Sequence, residues 1–255
     1  MISREHVLTS TIAHVNANRI PLDGSSDKVT MSDGTQNPYD CMQDLAATLR
    51  SGACPKLESL YINENKVGNR GLQILCVSLR AGACSNLGRL NVRRCGVGAA
   101  GIKALAQALA ARACPLLHCL DICLNEVCLA KRSSQLCLPP ASFQVLDGGL
   151  CALARALNDG ACPNLKALHV RAIGATQVGV LALAQAISGS EDFKNLQILH
   201  VSWDEAGTSV YLLVNCMPVK RTCSGLAGLQ GLLSVINASS CPSLYKLNFR
   251  GASTS

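Results

Sequence analysis

The chain has 255 residues, of which 49% are hydrophobic and 3% aromatic, and it carries a formal net charge of +7. This composition favours one domain with an aliphatic core, and the absence of any Lys/Arg-rich block argues against a nucleic-acid partner. The amino terminus places Arg4, Glu5 and His6 where a signal peptide needs an apolar core, which predicts a cytoplasmic protein.

The first element in chain order is a degenerate strand copy at Ile12, Val15 and Ala17, which begins 45 residues before Leu57. It predicts a degenerate N-terminal repeat and loop over residues 1–40. We expect the remaining residues, 41–255, to form one repeat domain, because a repeat array has no internal boundary.

From Leu57 onward, a Leu-x-x-Leu-x-hydrophobic motif occurs six times. The first leucines are Leu57, Leu87, Leu117, Leu165, Leu196 and Leu244, and successive differences are 30, 30, 48, 31 and 48 residues. The basic unit is therefore about 30 residues long, with two gains of 18 residues. A period in this range indicates a solenoid of stacked repeats.

Within one unit, from Ser51 to Leu79, the pattern predicts a strand and then a helix. Leu60 and Ile62 alternate with more polar residues, which is typical of a short strand with one buried face. Hydrophobic residues then follow at helical spacing: Leu72, Leu75, Cys76 and Leu79. Repetition of this unit predicts an α/β solenoid with parallel strands inside and helices outside.

Three expansions fall between a strand and its helix, at about residues 22–38, 128–146 and 206–223. We expect them to emerge as inserted loops on one rim of the stack, where loops of this length are functional or disordered. The third contains an apolar Val-Tyr-Leu-Leu-Val run at residues 210–214. A gene-model error is the alternative, because the repeat resumes in phase after each gain.

Five of the fifteen cysteines hold the same place in the repeat: Cys54, Cys84, Cys114, Cys162 and Cys241. A residue repeated in register indicates a repeated packing niche. Free cysteine behaves as a small buried hydrophobe. We therefore predict that these thiols are buried and reduced.

These motifs together resemble the leucine-rich repeat superfamily, specifically its ribonuclease-inhibitor-like class, over roughly residues 41 to 250. The resemblance implies a horseshoe with parallel strands on the concave face and helices on the convex face. The asparagine of the family pattern is kept at Asn65 and Asn125. Cys95, Ile173 and Asp204 replace it elsewhere, which predicts less regular turns at Cys95 and Ile173.

The resemblance also implies a non-enzymatic scaffold that binds a protein through the concave face. The alternative is a GTPase-activating protein similar to the Ran-directed family of this repeat class. That family typically has a strongly acidic tail, whereas this chain ends in Gly-Ala-Ser-Thr-Ser.

Outward-facing strand residues form columns that we expect to line the concave face, and their charge is mainly positive. Tyr, Trp and Arg dominate binding hot spots, and a positive face favours an acidic protein surface or segment. The residues predicted to bind a partner are Tyr61, Arg89, Arg93, Asp121, His169, Arg171, His200, Trp203 and Arg250. The alternative is that a solvated strand face simply carries polar residues.

Asp121, His169 and His200 share one column, with Cys119 and Cys123 beside Asp121, and all are ligand types for zinc. No CxxC pair or HxxxH spacing supports a metal site. A Cys/His nucleophile also lacks an evident orienting group and oxyanion site. We therefore predict no metal, no cofactor and no catalysis.

The last part of the chain raises two further questions. The uncharged stretch from Thr222 to Tyr245 could suggest a membrane span, but it matches a repeat, so we predict no membrane segment. Leu244, Leu247 and Phe249 begin a repeat without a following helix. An uncovered strand predicts self-association through that end, or a fragment of a longer array.

Overall fold

The computed structural model describes residues 12–16, 28–30, 38–125, 141–171, 177–205, 208–214, 242–244 and 246–251. Side chains are described for residues 41–125, 147–171, 178–190, 193–201 and 242–244.

Strands and helices alternate along the repeats. The strands are β1 (Ile12–Asn16), β2 (Lys28–Thr30), β3 (Ser59–Tyr61), β4 (Arg89–Asn91), β5 (Cys119–Asp121), β6 (Ala167–Val170), β7 (Ile198–Glu205), β8 (Thr208–Val214) and β9 (Lys246–Gly251). The α-helices are α1 (Pro38–Arg50), α2 (Gly68–Arg80), α3 (Ala99–Ala110), α4 (Ala141–Asn158) and α5 (Gln177–Gly189), and a 3-10 helix spans Glu191–Asn195. The α/β architecture predicted from the repeat is therefore present.

All described strands belong to one sheet, in the order β2-β1-β3-β4-β5-β6-β7-β8-β9. Pairing is parallel from β2 to β7, with an α-helix between consecutive strands from β3 to β7. Strand β8 is antiparallel to β7 and to β9, and β7 also pairs with β9 in parallel. The sheet is thus parallel through the regular repeats and mixed at its carboxyl-terminal side.

The strand register is the one that the motif predicts. Leu60 pairs with Leu90, which pairs with Leu120, and the series continues through Leu168 and Leu199. The register is kept across both 48-residue spacings, because Leu120 pairs with Leu168 and Leu199 pairs with Leu247. The additional residues therefore leave the strand positions unchanged.

The predicted N-terminal strand exists as β1, but its register differs from the expected one. Ala13 pairs with Leu60, whereas the motif places Val15 opposite that leucine. Side chains alternate with a period of two, so a shift of two residues keeps every side chain on the same face. The hydrophobic pattern alone could not distinguish the two registers.

The third expansion contains a strand where the sequence predicts a loop. Its Val-Tyr-Leu-Leu-Val run lies in β8, which pairs with β7 in antiparallel orientation. Thr208 lies opposite Glu205, and Tyr211 lies opposite Ser202. Apolar β-branched and aromatic residues favour strands, and only two residues, including Gly207, separate β7 from β8, which suits a hairpin. Asp204 accordingly lies in β7 and not in a repeat turn.

The other predicted loops lie largely outside the described residues. This holds for residues 22–27, 31–37, 128–140 and 215–223, and also for Ile173 and Cys241. The last residues of the second expansion, 141–146, belong to α4. At the carboxyl-terminal side, β9 pairs with β8 as well as with β7, so the strand that the sequence predicts to be uncovered has partners there.

The core lies between the sheet and the helices. The strand leucines Leu60, Leu90, Leu120, Leu168 and Leu199 are at most 1% exposed and belong to one cluster with the helix leucines. Neighbouring helices contact one another in sequence order. Within the described part of the chain, no helix has the length and apolar character needed to cross a membrane.

Glycines near the start of the helices allow this close packing. A Cβ atom on Gly101 would lie 2.6 Å from Val97 Cγ1 and 2.9 Å from Asn69 Oδ1. That Asn69 oxygen accepts hydrogen bonds from the backbone nitrogens of Gly98 and Gly101 at 2.7 and 2.9 Å. One repeat thus caps the helix of the next, and a side chain at Gly101 would separate them.

Asparagine side chains connect the turns that follow the strands. Asn125 Nδ2 donates to the carbonyls of Val92 and Ile122 at 2.9 and 2.8 Å. Its Oδ1 accepts from the backbone nitrogens of Cys95 and Val97 at 2.9 and 3.2 Å. One buried amide therefore satisfies polar groups in two successive repeats, as buried polar groups require.

The prediction of a less regular turn at Cys95 is wrong. The preceding residue, Arg94, has φ 54°, matching φ 63° at Glu64 and 57° at Leu124 in the neighbouring turns. The Cys95 thiol donates to the Ile62 carbonyl at 3.0 Å, so it takes over part of the asparagine's role. The remaining hydrogen bonds come from Asn125 of the next repeat, which keeps the turn in place.

The helix ends share a left-handed residue. Gly52, Gly82 and Gly160 have φ between 73° and 79°, and each is the second residue after the end of α1, α2 or α4. Arg112 holds the corresponding place after α3 with φ 54°. A residue with a Cβ atom is strained in this conformation, whereas glycine is not.

The repeated cysteines are buried, as predicted. Cys54, Cys84, Cys114 and Cys162 are 1–4% exposed, and all ten cysteines in the described part of the chain are free thiols. Burial raises the pKa of Cys84 and of Cys114 to about 12, with like-charge repulsion between neighbouring thiolates contributing at Cys84. These thiols stay protonated at neutral pH, which makes them poor nucleophiles.

We expect Arg112→Gly to raise the free energy of unfolding by about 1 kcal/mol, because it removes the Cβ strain at a left-handed position. Urea denaturation of the variant and the parent protein measures the change. The matched control is Gly82→Arg, which should lower stability by a similar amount. A destabilised Arg112→Gly variant would contradict the assignment of strain to this residue.

The buried thiols should make stability fall in alkaline solution. The pKa of Cys84 is about 12 in the folded chain against an ordinary value of 9.0, so its contribution is complete below pH 9 and is lost as pH rises toward 12. We expect the Tm to fall between pH 8 and pH 10.5. In Cys84→Ala the fall should be smaller, and an equal fall would show that this thiol is not responsible.

Candidate functional site

One face of the sheet carries the predicted partner-binding residues. On β3, Ser59, Tyr61 and Asn63 alternate with the buried Leu60 and Ile62, so they point away from the core. We call the surface formed by these three positions and their counterparts on β4 to β7 the open face.

Backbone hydrogen bonds extend the strand register beyond the strand ends. Arg94 N donates to the Cys123 carbonyl at 3.1 Å, and Leu124 N donates to the Arg171 carbonyl at 2.8 Å. Arg93, Cys123 and Arg171 therefore lie side by side in the third column of the open face. Since adjacent strands are about 4.8 Å apart, the two arginine backbones are separated by about 9.6 Å.

Arg89 is exposed and held by a histidine of the next repeat. Its Nε donates to His118 Nε2 at 3.2 Å. The His118 ring lies over Gly88, where a Cβ atom would be 2.5 Å from His118 Cε1. The glycine before β4 thus makes room for the ring that orients Arg89.

Polar residues of the middle column support the turns next to them. Asn91 Oδ1 accepts from Arg93 N at 3.0 Å, and Asp121 Oδ1 accepts from Cys123 N at 2.9 Å. These local bonds fix the backbone from which Arg93 and its neighbours project. The Asp121 carboxylate is therefore engaged in its own turn.

Arg93 and Arg171 each carry a buried donor that lacks an acceptor. Both side chains are half-buried, and the Nε atom of each is inaccessible to solvent without a hydrogen-bond partner among the described residues. A buried donor left unpaired costs about 1–3 kcal/mol, and such groups are rare in native proteins. Within the described part of the chain, no acceptor compensates this cost.

The thiol between the two arginines is shielded. Cys123 is 1% exposed, and its Sγ accepts from Arg171 N at 3.3 Å. Burial first, and then the charge of Asp121, raise its pKa to about 12. Cys123 is thus a buried neutral thiol between the backbones of the two arginines and not a nucleophile.

Two histidines of the middle column touch across β6 and β7. The Nδ1 atoms of His169 and His200 are 2.7 Å apart, and the rings form an edge-to-face pair with centroids 4.4 Å apart. Such a contact requires one Nδ1 to carry the proton and the other to accept it. The pair therefore holds at least one neutral ring.

The zinc ligand types discussed above do not assemble into a cluster. Among the side chains that the structure describes, no group of three or more His, Cys, Asp or Glu residues has the arrangement needed to hold a metal ion. Asp121 pairs with His169 through the backbone of adjacent strands, but its carboxylate is turned toward Cys123 N.

At one rim of the open face, Arg94 and Glu64 form an ion pair at 3.3 Å. The Arg94 side chain is 50% exposed and the Glu64 side chain is 61% exposed, so the pair adds little stability. A wide depression of about 440 Å³ lies beside them, lined by the turns around Asn65 and Cys95.

The predicted partner-binding residues divide into two groups. The structure brings seven onto the open face of β3 to β7: Tyr61, Arg89, Arg93, Asp121, His169, Arg171 and His200. Trp203 lies in β7 opposite Val210 of β8, and Arg250 lies in β9. Their backbones are described, and their side chains lie outside the described set.

His118 is the residue that the sequence interpretation missed. It precedes β5 and lies outside the three columns, yet it holds Arg89. The available signal was Gly88, which has no side chain where the other repeats carry Glu58 and Lys166.

Comparison with known families supports the repeat assignment. A family model described as Leucine Rich repeat matches residues 53–76 and 83–106. These two segments contain β3 with most of α2, and β4 with most of α3. The chain therefore carries leucine-rich repeats at both positions. The search of curated proteins found no significant match.

We expect the two histidine rings to differ in tautomer. Nitrogen NMR at pH 8 should show one ring of the His169 and His200 pair protonated at Nδ1, because the 2.7 Å contact needs a donor. In His200→Ala the His169 signal should change, whereas His118 should not. Two rings that both lack a proton on Nδ1 would contradict the hydrogen bond.

Proposed function

We propose that this chain is a non-enzymatic interaction module that binds a partner protein through the open face. Leucine-rich repeats generally mediate protein–protein interaction and are typically non-enzymatic. Stacked repeats offer partners a continuous surface, because each strand adds a row of side chains to the last.

The charge and residue types of the open face carry this proposal. The described side chains of the open face include three arginines and one aspartate, so their net charge is positive. That aspartate accepts a hydrogen bond within its own turn. Arginine and tyrosine are enriched at protein interfaces and at their hot spots. Tyr61 at one side and the arginines at the centre supply such anchors.

The finer architecture belongs to the same proposal. Helices α2 and α3 of 13 and 12 residues follow short strands within a 30-residue unit, which supports the ribonuclease-inhibitor-like class. We therefore place the open face on the concave side of a horseshoe. The division into an irregular end, residues 1–40, and a repeat domain, residues 41–255, also remains part of the proposal; strands β1 and β2 extend the same sheet, and residue 40 lies within α1.

Cytoplasmic location is part of the proposal as well. Ten free thiols, most of them buried, fit a reducing compartment. No observation on the described residues favours the GTPase-activating alternative over binding alone. Self-association has no support from β9, whose backbone pairs with β7 and β8.

We expect simultaneous Arg89→Glu, Arg93→Glu and Arg171→Glu substitution to abolish partner capture, because it reverses the charge of the open face. The protein would be immobilised and exposed to extract of cells that express it, and retained proteins would be identified by mass spectrometry. Substitutions at exposed positions usually change stability by only about 0.5 kcal/mol. Arg93 and Arg171 are half-buried, so a thermal melt of the variant checks that it folds.

The matched control reverses three exposed charges away from the open face: Lys56→Glu, Lys103→Glu and Arg155→Glu. It makes the same change in net charge. Proteins that are lost only from the open-face variant support the proposal. Equal retention by a folded open-face variant and the parent chain would rule out this surface.

A further inference from the structure

We infer that the open face recognises an acidic segment of the partner through a two-point clamp formed by Arg93 and Arg171. This inference rests on the proposed function and names the chemistry of the partner. It starts from the two buried Nε atoms, which have no acceptor in the described part of the chain.

No carboxylate of the described open face or its rim accepts a hydrogen bond from the Nε atoms of the clamp arginines. Asp121, the acidic residue among the described side chains of the open face, accepts from Cys123 N, and Glu64 at the rim pairs with Arg94. Neither carboxylate reaches the Nε atoms of Arg93 and Arg171. Each Nε atom is covered in the free protein, so a partner carboxylate would draw the side chain outward and then accept from Nε and a terminal guanidinium nitrogen together, which is the strongest pairing that arginine makes.

Arg89 lies on the same face, and its Nε atom has a hydrogen-bond acceptor. Its Nε already donates to His118 Nε2 at 3.2 Å, and the side chain is exposed. Arg93 and Arg171 instead hold their Nε atoms beneath the surface, where an acceptor reaches them only after the side chains turn outward. The difference assigns long-range attraction to Arg89 and specific contact to the other two.

The spacing of the clamp restricts the ligand. Arg93 and Arg171 lie on either side of Cys123, two strand spacings or about 9.6 Å apart. Glutamates seven residues apart on one side of a helix are separated by about 10.5 Å along its axis, which matches. Cys123, which lies between the two arginines, is buried and neutral, so it adds no competing charge to the clamp.

A lysine substitution separates this inference from general charge attraction. Lysine keeps the positive charge but has a methylene where arginine has Nε. In Arg93→Lys with Arg171→Lys, the two unpartnered donors disappear from the free protein. The variant should therefore be more stable while it binds an acidic ligand less well.

The experiment measures binding of fluorescent helical peptides of identical composition, with two glutamates either seven or five residues apart. In the second peptide the glutamates point in different directions, so the first should bind at least about tenfold more tightly. The double lysine variant should lose that preference, and its Tm should rise by about 2–4 °C for each removed donor. Arg155→Lys, an exposed helix substitution, should change neither quantity.

Three results would overturn the inference. The first is equal affinity for both peptides, the second is a lower Tm in the double lysine variant, and the third is tighter binding of single-stranded RNA that the lysine variant retains. If neither peptide binds while the triple charge reversal still abolishes partner capture, the acidic clamp fails and the proposed function stands. If the triple reversal has no effect, the proposed function itself fails.

Discussion

The structure depends on the in-register stacking of one leucine per strand. Leu60, Leu90 and Leu120 lie directly opposite one another in adjacent strands and are excluded from water. Because strand side chains alternate, fixing these leucines inward fixes their neighbours outward. The same constraint that builds the core thus arranges the polar columns of the open face.

Polar atoms reinforce that phase between repeats. Asn69 caps the following helix, and Asn125 satisfies backbone groups in two successive turns. The thiol of Cys95 substitutes for an amide because the missing hydrogen bonds are supplied by the neighbouring repeat. Repeats therefore tolerate an irregular residue when the adjacent one is regular, as expected for a stack stabilised by nearest-neighbour contacts.

The open face combines groups that the fold satisfies with groups that it does not. Arg89 and Asp121 have acceptors or donors in their own or adjacent repeats. Arg93 and Arg171 retain buried donors without acceptors among the described residues, at a cost to the free protein. A cost of this kind is recovered when a ligand supplies the acceptor, and this is the basis of the proposal that these two arginines contact a partner.

The amino-acid sequence was sufficient to predict the repeat, the register of strands β3 to β7 and the columns of the open face, because hydrophobic periodicity reports which side chains leave water. It could not determine the register of β1, where a shift of two keeps the same face, or the β8 strand, whose apolar run fits a loop expansion as well as a hairpin. The contact of His118 with Arg89, the turn at Cys95 and the unpaired Nε atoms were decided only by the tertiary structure. Those features depend on distances between residues about 30 positions apart in sequence, which a one-dimensional pattern does not contain.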